Sequence, residues 1–315
     1  MKEKVVIIVG PTAVGKTKLS LDIARVFNGE VINGDAMQVY QGLNIGTAKI
    51  PETDMQGIPH HLIDFLPPSE PYTVAAFQSD ARQLIHDLNE QHKCPVLVGG
   101  TGLYIKAAAY DYQFTDVEDD PDFRKEMARI AESQGNMVLH QKLADIDPVS
   151  ARAIHPNNVN RVIRALEVYH LSGLPFSMHQ QDQEPAPLFD IALIGLTMDR
   201  ELLYKRINQR VDDMIEAGLI DEAKALYDSG IRNVQAVQAI GYKELYRYFE
   251  GECTLQEAVS LLKRNSRRFA KRQYTWFRNQ MDVTWFDMTE ALDHFEKKAE
   301  EIIRFVAGKL EIRSK

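Results

Sequence analysis

The chain's 315 residues are 44% hydrophobic and 26% charged, an ordinary globular balance with length enough for two domains. A net charge of −8 excludes a uniformly basic coat, so any nucleic-acid contact must rest on a local patch. Only Cys94 and Cys253 are present, too few for a disulfide framework or a cysteine-based zinc site, and no stretch is long and apolar enough to cross a bilayer; a reducing cytoplasm is the expected setting.

Residues 5–9 read as a buried strand that empties into Gly10-Pro11-Thr12-Ala13-Val14-Gly15-Lys16-Thr17. This is a complete G-x-x-x-x-G-K-[ST] phosphate-binding loop, and residues 18–27 read as the helix that follows it. The glycines let the backbone curl so that its N–H groups face inward. Phosphate would then sit on the positive end of the helix, with Lys16 as a point charge and the Thr17 hydroxyl as a Mg²⁺ ligand. Residues 30–33 predict a second strand ending in the turn Asn33-Gly34-Asp35 and residues 61–65 a third. A helix is expected over 72–90, and a further strand over 94–98 that runs into Gly99-Gly100-Thr101-Gly102. Alternating strands and helices predict a P-loop-like α/β core: a parallel sheet with helices on both faces and ligands outside the carboxyl ends of its strands. Asp35 and Thr101 both fall at such ends.

From residue 119 to 183 the apolar residues take a helical period and strands disappear. Asp120-Pro121 and Asp147-Pro148 each read as an N-cap followed by proline at the first helical position, and a helix over 158–171 is stopped by Gly173. Residues 180–187 read as a linker and 191–196 as a return to apolar strand. The expected organisation is therefore a core of residues 1–118 and 184–315 with a helical insertion over 119–183. Beyond Asp199 the chain is again helical, with Arg200, Arg206 and Arg210 on successive turns.

Residues 261–278 predict an amphipathic helix. Arg264, Arg267, Arg268, Lys271, Thr275 and Arg278 share one face, while Leu262, Phe269, Trp276 and Phe277 share the other and are expected in the core. No acid interrupts the basic face in a chain that is acidic overall. It reads either as a solvated surface or as the seat of an anionic partner.

Nucleotide hydrolases of the P-loop class commonly end a second apolar strand in an aspartate that holds Mg²⁺, whereas the strand over 94–98 ends in Gly-Gly-Thr. The acid that does appear is Asp35, which is either a turn former or a functional carboxylate; its place at a strand end beside the phosphate loop favours function. Thr101 is open in the same way, between bonding its own backbone and bonding a ligand. His60 and His61, adjacent in a predicted strand, point to opposite faces and make a poor chelating pair.

In order along the chain come GPTAVGKT, DAMQVY, GLNIGTAK, GIPHHLID and VGGTGLYIKA, then RVIRALEVY, DRELLYKRINQRVDDMIEAGLIDEAKAL, QAIGYKE and RRFAKRQYTWFR. In this ordered set, spanning residues 10 to about 278, the chain resembles the bacterial tRNA dimethylallyltransferases, also called tRNA isopentenyltransferases. The resemblance implies transfer of a dimethylallyl group from dimethylallyl diphosphate to the exocyclic amine of the adenine immediately 3′ of the anticodon, with release of diphosphate. The loop of residues 10–17 would hold the leaving group, with Arg206 or Arg210 completing the clamp unless these are surface arginines. The family usually has serine where this chain has Ala36, which weakens any role for a hydroxyl there. The cysteines and length for the C-terminal zinc finger of eukaryotic relatives are missing.

On this reading Lys16, Asp35 and Thr101 are catalytic: Lys16 stabilises the leaving group, Asp35 accepts the amine proton, and Thr101 helps hold the adenine. The tRNA, through its anticodon stem-loop, is expected to meet Asp35, Ala36, Met37, Gln38 and Thr101 at the adenine. The insertion would add Arg124, Asn160, Arg161 and Arg164. Gln238, Gly241, Tyr242, Arg268, Lys271 and Arg272 complete the surface, with Tyr242 as the base-stacking aromatic. Mg²⁺ is the expected cofactor and a monomer the expected state. The alternatives are a P-loop nucleoside or nucleotide kinase, an isopentenyltransferase acting on free adenine nucleotides, and a non-catalytic RNA-binding module.

Overall fold

Val5 to Val9 are wholly buried, because the strand they form lies in the middle of a sheet covered on both faces. The computed structural model describes residues 2–114, 117–179 and 185–313. In chain order, β1 (Lys4–Val9) leads through the glycine loop to α1 (Lys16–Val26), β2 (Gly29–Asn33), β3 (His60–His61), α2 (Val74–Glu90), β4 (Cys94–Gly99) and α3 (Gly102–Ala109). Four helices follow without a strand: α4 (Pro121–Gln134), α5 (Asn136–Ile146), α6 (Pro148–Ala153) and α7 (Val159–Ser172). The chain then forms β5 (Asp190–Thr197), α8 (Arg200–Glu216), α9 (Leu219–Asp228), α10 (Tyr242–Phe249), α11 (Leu255–Gln280), β6 (Thr284–Asp287) and α12 (Phe295–Leu310). It divides into two units, residues 1–111 with 187–315, and residues 112–186; of the predicted linker, residues 180–184 lie outside the described residues.

The first unit is the α/β core. All its strand pairs are parallel, in the order β3-β2-β4-β1-β5-β6. Side chains alternate across the pleat. Val5, Ile7 and Val9 join Phe77, Ala81 and Ile85 of α2 on one face, while Val6 and Ile8 join Leu19 and Ile23 of α1 and Ile302 and Val306 of α12 on the other. Full burial of each such Val or Ile contributes about 1.5–3 kcal/mol. Because strand order reverses between β1 and β4, a crevice opens beyond their carboxyl ends.

The third strand is shorter than residues 61–65 predict. Only His60 and His61 pair with β2, because Leu62 and Asp64 take positive φ (56° and 55°) and turn the chain out of the sheet. The amphipathic helix is longer than predicted. It starts at Leu255, where Thr254 and Glu257 form a reciprocal capping box. Strand β6 has no counterpart among the sequence expectations. Among the described residues no helix is long and apolar enough to cross a membrane.

The second unit is helical, with Leu139, Leu143, Val162 and Leu166 among its core residues. Asp120 caps α4 by accepting from the Asp122 and Phe123 N–H groups, Asp147 caps α6 through Ser150, and Gly173 ends α7 at φ 72°. Glu167 is fully buried inside this unit. It meets Arg124 at 2.7 Å and Arg164 at 2.6 Å and accepts the Asp120 N–H at 2.8 Å. Burial alone would raise its carboxyl, but the hydrogen bonds from Arg124 and Arg164 outweigh this and hold it below the ordinary glutamate value. Glu167→Ala leaves both arginines only their remaining partners, Asp119 foremost, and should lower the unfolding free energy by about 1–3 kcal/mol, read by urea denaturation. A depressed carboxyl contributes above its unfolded value of about 4 and loses that contribution as pH falls through the folded one, so parent and variant should converge in acid.

Candidate active site

The phosphate loop owes its shape to two left-handed residues, Ala13 at φ 66° and Gly15 at φ 108°, which turn the chain between the end of β1 and the start of α1. Such alternation points successive N–H groups into one concavity. Lys16 Nζ donates to the carbonyls of Gly10 and Pro11 at 2.9 and 2.8 Å, so the ammonium is held over the loop. Its pKa is pulled down to about 7, chiefly by desolvation and then by the Arg210 charge, against an opposing pull from Asp35. Both arginines left open by the sequence reach this loop from α8. Arg206 Nε donates to the Ala13 carbonyl at 2.9 Å, and Arg210 Nη1 donates to Thr12 Oγ1 at 3.3 Å. Desolvation lowers the Arg210 pKa as well.

The second half of the site hangs from the ends of β2 and β4. Asn33 organises the turn: its Oδ1 accepts the Asp35 N–H at 3.1 Å and its Nδ2 donates to the Leu62 carbonyl at 2.8 Å. One Asp35 oxygen accepts the Met37 N–H at 2.9 Å. Thr101 Oγ1 accepts the Ala36 N–H at 3.1 Å, which joins the two turns and leaves the hydroxyl proton to be donated elsewhere. The approach requires glycine, since a Cβ on Gly99 would stand 2.2 Å from the Gly34 carbonyl oxygen.

Both halves open into one cavity of about 560 Å³, within the usual size of a small-ligand site. Its lining includes Thr12 to Thr17, Asp35 to Gln38, Thr101, Arg206, Arg210, Gln238, Gly241 and Arg272. Gly10 lies outside the lining and contributes its carbonyl to Lys16. The lining also has an apolar part that includes Ile207, Val211, Met214, Leu262 and Phe269. A second cavity of about 890 Å³ lies along α11, lined by Lys243, Arg268, Lys271, Arg272, Thr275 and Trp276 among others, and shares Ile240, Lys243 and Arg272 with the first.

Several expectations need correction. Tyr242 is not a stacking platform: it has no exposed surface, and its hydroxyl donates to Glu222 at 2.5 Å. Phe269 is not core like Phe277 but lines the first cavity, and Trp276, half-buried against the core, also lines the second, because α11 is flanked on more sides than a two-face reading allows. The basic face is likewise divided. Arg267 donates to Asn208 of α8, and Lys263 pairs with Asp212, so these face the protein. In the second unit Asn160 and Arg161 are exposed, whereas Arg124 and Arg164 spend guanidinium nitrogens on Glu167 and Asp119. His60 and His61 bond to the Ile58 carbonyl and to Glu30 and line neither cavity.

Gln273 was missed. Its Oε1 accepts the Thr12 N–H and its Nε2 donates to the Gly100 carbonyl, both at 3.0 Å. The available signal was a polar residue between Ala270 and Phe277 on the buried stripe of the helix. Glu222 was missed too: it accepts the N–H groups of Asn44, Ile45 and Gly46 at 2.9, 2.9 and 3.0 Å and so fixes the wall made by Gly46, Thr47 and Ala48.

Among the described residues no group of three or more His, Cys, Asp or Glu could hold a metal. Thr17, the hydroxyl residue that closes the phosphate loop, lines the cavity, where such a hydroxyl fits Mg²⁺ held together with substrate phosphates.

A glycine loop and helix N-terminus at the carboxyl ends of a parallel sheet, facing a carboxylate and a hydroxyl, define a P-loop-type α/β protein built to hold a phosphorylated ligand. A family model described as IPP transferase matches residues 38–280. Among curated relatives, the tRNA dimethylallyltransferase of Bacillus pumilus is 57% identical over 314 residues, covering 100% of this chain and 98% of its own. That of Geobacillus kaustophilus is also 57% identical, covering 100% and 99%. The crystal structure of the full-length tRNA isopentenylpyrophosphate transferase from Bacillus halodurans superposes with a TM-score of 0.75 at 56% identity, over 98% of this chain and 97% of that one. A eukaryotic dimethylallyltransferase acting on tRNA gives 0.79 at 31% identity, over 95% and 77%. The chain belongs to the IPP transferase family.

The Lys16 environment makes anion binding pH-dependent. A bound diphosphate raises the depressed ammonium pKa, so binding takes up a proton wherever the free side chain is neutral. Affinity for inorganic diphosphate should be highest below about pH 7 and fall by up to about tenfold per unit above it. Titration calorimetry on Lys16→Met, which retains only the ligand's own titration, isolates this slope.

Proposed function

We propose that the protein transfers a dimethylallyl group from dimethylallyl diphosphate to the exocyclic amine of the adenine immediately 3′ of the anticodon in tRNA. One observation carries this reading: a single cavity joins a cationic diphosphate cradle, an apolar wall that suits a branched hydrocarbon tail, and a carboxylate at the acceptor side. A nucleoside triphosphate would have no use for the wall of Val211, Met214, Leu262 and Phe269. The curated relatives at 57% identity are named for this transfer to tRNA.

The reaction is a substitution at the allylic carbon: a carbon–nitrogen bond forms, the carbon–oxygen bond to diphosphate breaks, and the amine loses a proton. Its barrier is mainly the charge building on the departing diphosphate. Lys16, Arg206, Arg210 and the N–H groups of residues 13–17 are set to stabilise that charge. Mg²⁺ held by Thr17 would add Lewis-acid stabilisation of the phosphate oxygens. The adenine amine is weakly nucleophilic because its lone pair is delocalised. A carboxylate cannot deprotonate it beforehand; Asp35 accepts a hydrogen bond from it and takes the proton as the new bond raises nitrogen acidity. The Thr101 hydroxyl, already accepting from Ala36, donates to the base.

An adenine stacked in an anticodon loop cannot enter this cavity without being extruded, at a cost of a few kcal/mol. We assign the compensating contacts to Arg268, Lys271 and Arg272 along the α11 groove, to Gln238 and Gly241 at the rim, and to exposed Asn160 and Arg161 in the helical unit. A monomeric, cytoplasmic enzyme completes the reading.

Labelled dimethylallyl diphosphate should mark unmodified tRNA and not AMP; label on AMP, or phosphate transfer from ATP to a nucleoside, overturns the assignment. Lys16→Ala should cut transfer at least about 100-fold while tRNA affinity stays near that of the parent, and near-normal turnover would remove the leaving-group role. Lys271→Ala should weaken tRNA binding and reduce the salt slope by about one unit; an unchanged slope makes the residue a solvated surface charge.

A further inference from the structure

Gln273 is only 5% exposed, on the inner side of α11 between the buried residues Ala270 and Phe277. Its amide spans two loops that share no backbone hydrogen bond with α11. The Thr12 N–H donates to Oε1 and Nε2 donates to the Gly100 carbonyl, each at 3.0 Å. Space for it is specific. A Cβ on Gly100 would stand 2.0 Å from Nε2, so glycine there admits the amide. The two partners belong to opposite halves of the site. Thr12 opens the phosphate loop and is held by its hydroxyl to Arg210. Gly100 precedes Thr101, whose Oγ1 carries the bond to Ala36 beside Asp35. Only a group with an acceptor and a donor at fixed spacing can serve both loops, and a side-chain amide is such a group.

We propose that Gln273 is a positioning residue for the transfer reaction: it sets the separation between the loop that holds the leaving diphosphate and the turn that presents Thr101 and Asp35 to the acceptor amine. The inference rests on the prenyl-transfer reading above. Each ligand alone occupies one half of the cavity, so its affinity depends little on how the halves are spaced. The rate with both bound depends on it steeply, since a misplacement of about 1 Å in a near-attack geometry costs about 100-fold.

The test uses the full-length protein. Gln273→Met keeps the volume and removes both hydrogen bonds. Its kcat per active site, with tRNA and dimethylallyl diphosphate both saturating, should fall about 100-fold, while the separate dissociation constants for inorganic diphosphate and for tRNA shift less than about threefold. Gln273→Glu supplies a rescue. The protonated acid reproduces the donor–acceptor pair and the ionised one does not, so the ratio of its kcat to the parent's should rise as pH is lowered, whereas the Met ratio stays flat. A residue that only supports folding would lower the melting temperature and the active fraction without moving either readout. An unchanged kcat per site, losses that track ligand affinity, or a flat Glu ratio would each overturn the inference. A parent that moves no dimethylallyl group onto tRNA overturns the functional reading and this inference with it; an active parent with an unaffected Met variant overturns this inference alone.

Discussion

Three cations brought together on one loop, Lys16, Arg206 and Arg210, are the constraint around which the rest of the core is arranged. Their mutual repulsion and desolvation are visible in the lowered values of Lys16 and Arg210, and Asp35 relieves only part of it. A protein free to relax would let these side chains swing into water. This one does not, because both ends of the cluster are anchored. The loop is fixed to β1, whose residues Val5 to Val9 are wholly buried, and α8 is held by its buried residues Leu203, Ile207 and Val211 and by Asp212–Lys263 and Asn208–Arg267 contacts to α11. The electrostatic tension is thus maintained by packing, and an anion bound among these cations would discharge it.

The acceptor half obeys a different logic. Asp35 and Thr101 are close because β2 and β4 are sheet neighbours, and Gly34 just past β2 meets Gly99 at the end of β4 at a distance no side chain would permit. Here hydrogen bonds do the positioning: Asn33 holds the turn from below, Thr101 ties it to its neighbour, and Gln273 reaches across to the phosphate loop. The carboxylates of half-buried Glu222 and buried Glu244 secure the remaining wall, the first through N–H groups of residues 44–46 and the second through Gly241 and Asn265.

What could be seen in the sequence was whatever is determined locally. The phosphate loop, the apolar strands beside it and the Asp-Pro helix starts are set by a few consecutive residues, and they appear where the spacing puts them. The third strand was overextended because nothing in His61 to Phe65 announces that Leu62 and Asp64 will adopt left-handed backbone. Strand β6 is a four-residue strand at the sheet edge, too short for its period to register. Tyr242, Phe269, Trp276 and Gln273 share a deeper reason. A helical wheel divides residues into two faces, but α11 touches α8, α10 and α3, and Tyr242 is buried because Glu222, twenty residues earlier, accepts its hydroxyl. Such environments are decided by tertiary neighbours that a one-dimensional pattern does not contain.

A phosphate loop recognises oxygens and charge and is indifferent to what the diphosphate is bonded to. Discrimination between a nucleotide and a prenyl donor must therefore come from the rest of the cavity, whose lining includes Ile207, Val211, Met214, Leu262 and Phe269. A dimethylallyl tail, which has no polar group to satisfy, gains from burial against these side chains. The helices that supply this wall, α8 and α11, are also the ones that carry the arginines of the cradle and the basic groove. The cradle arginines are on α8, the basic groove runs along α11, and Arg272 of α11 lines both cavities, so the donor site and the surface assigned to RNA adjoin along one helix.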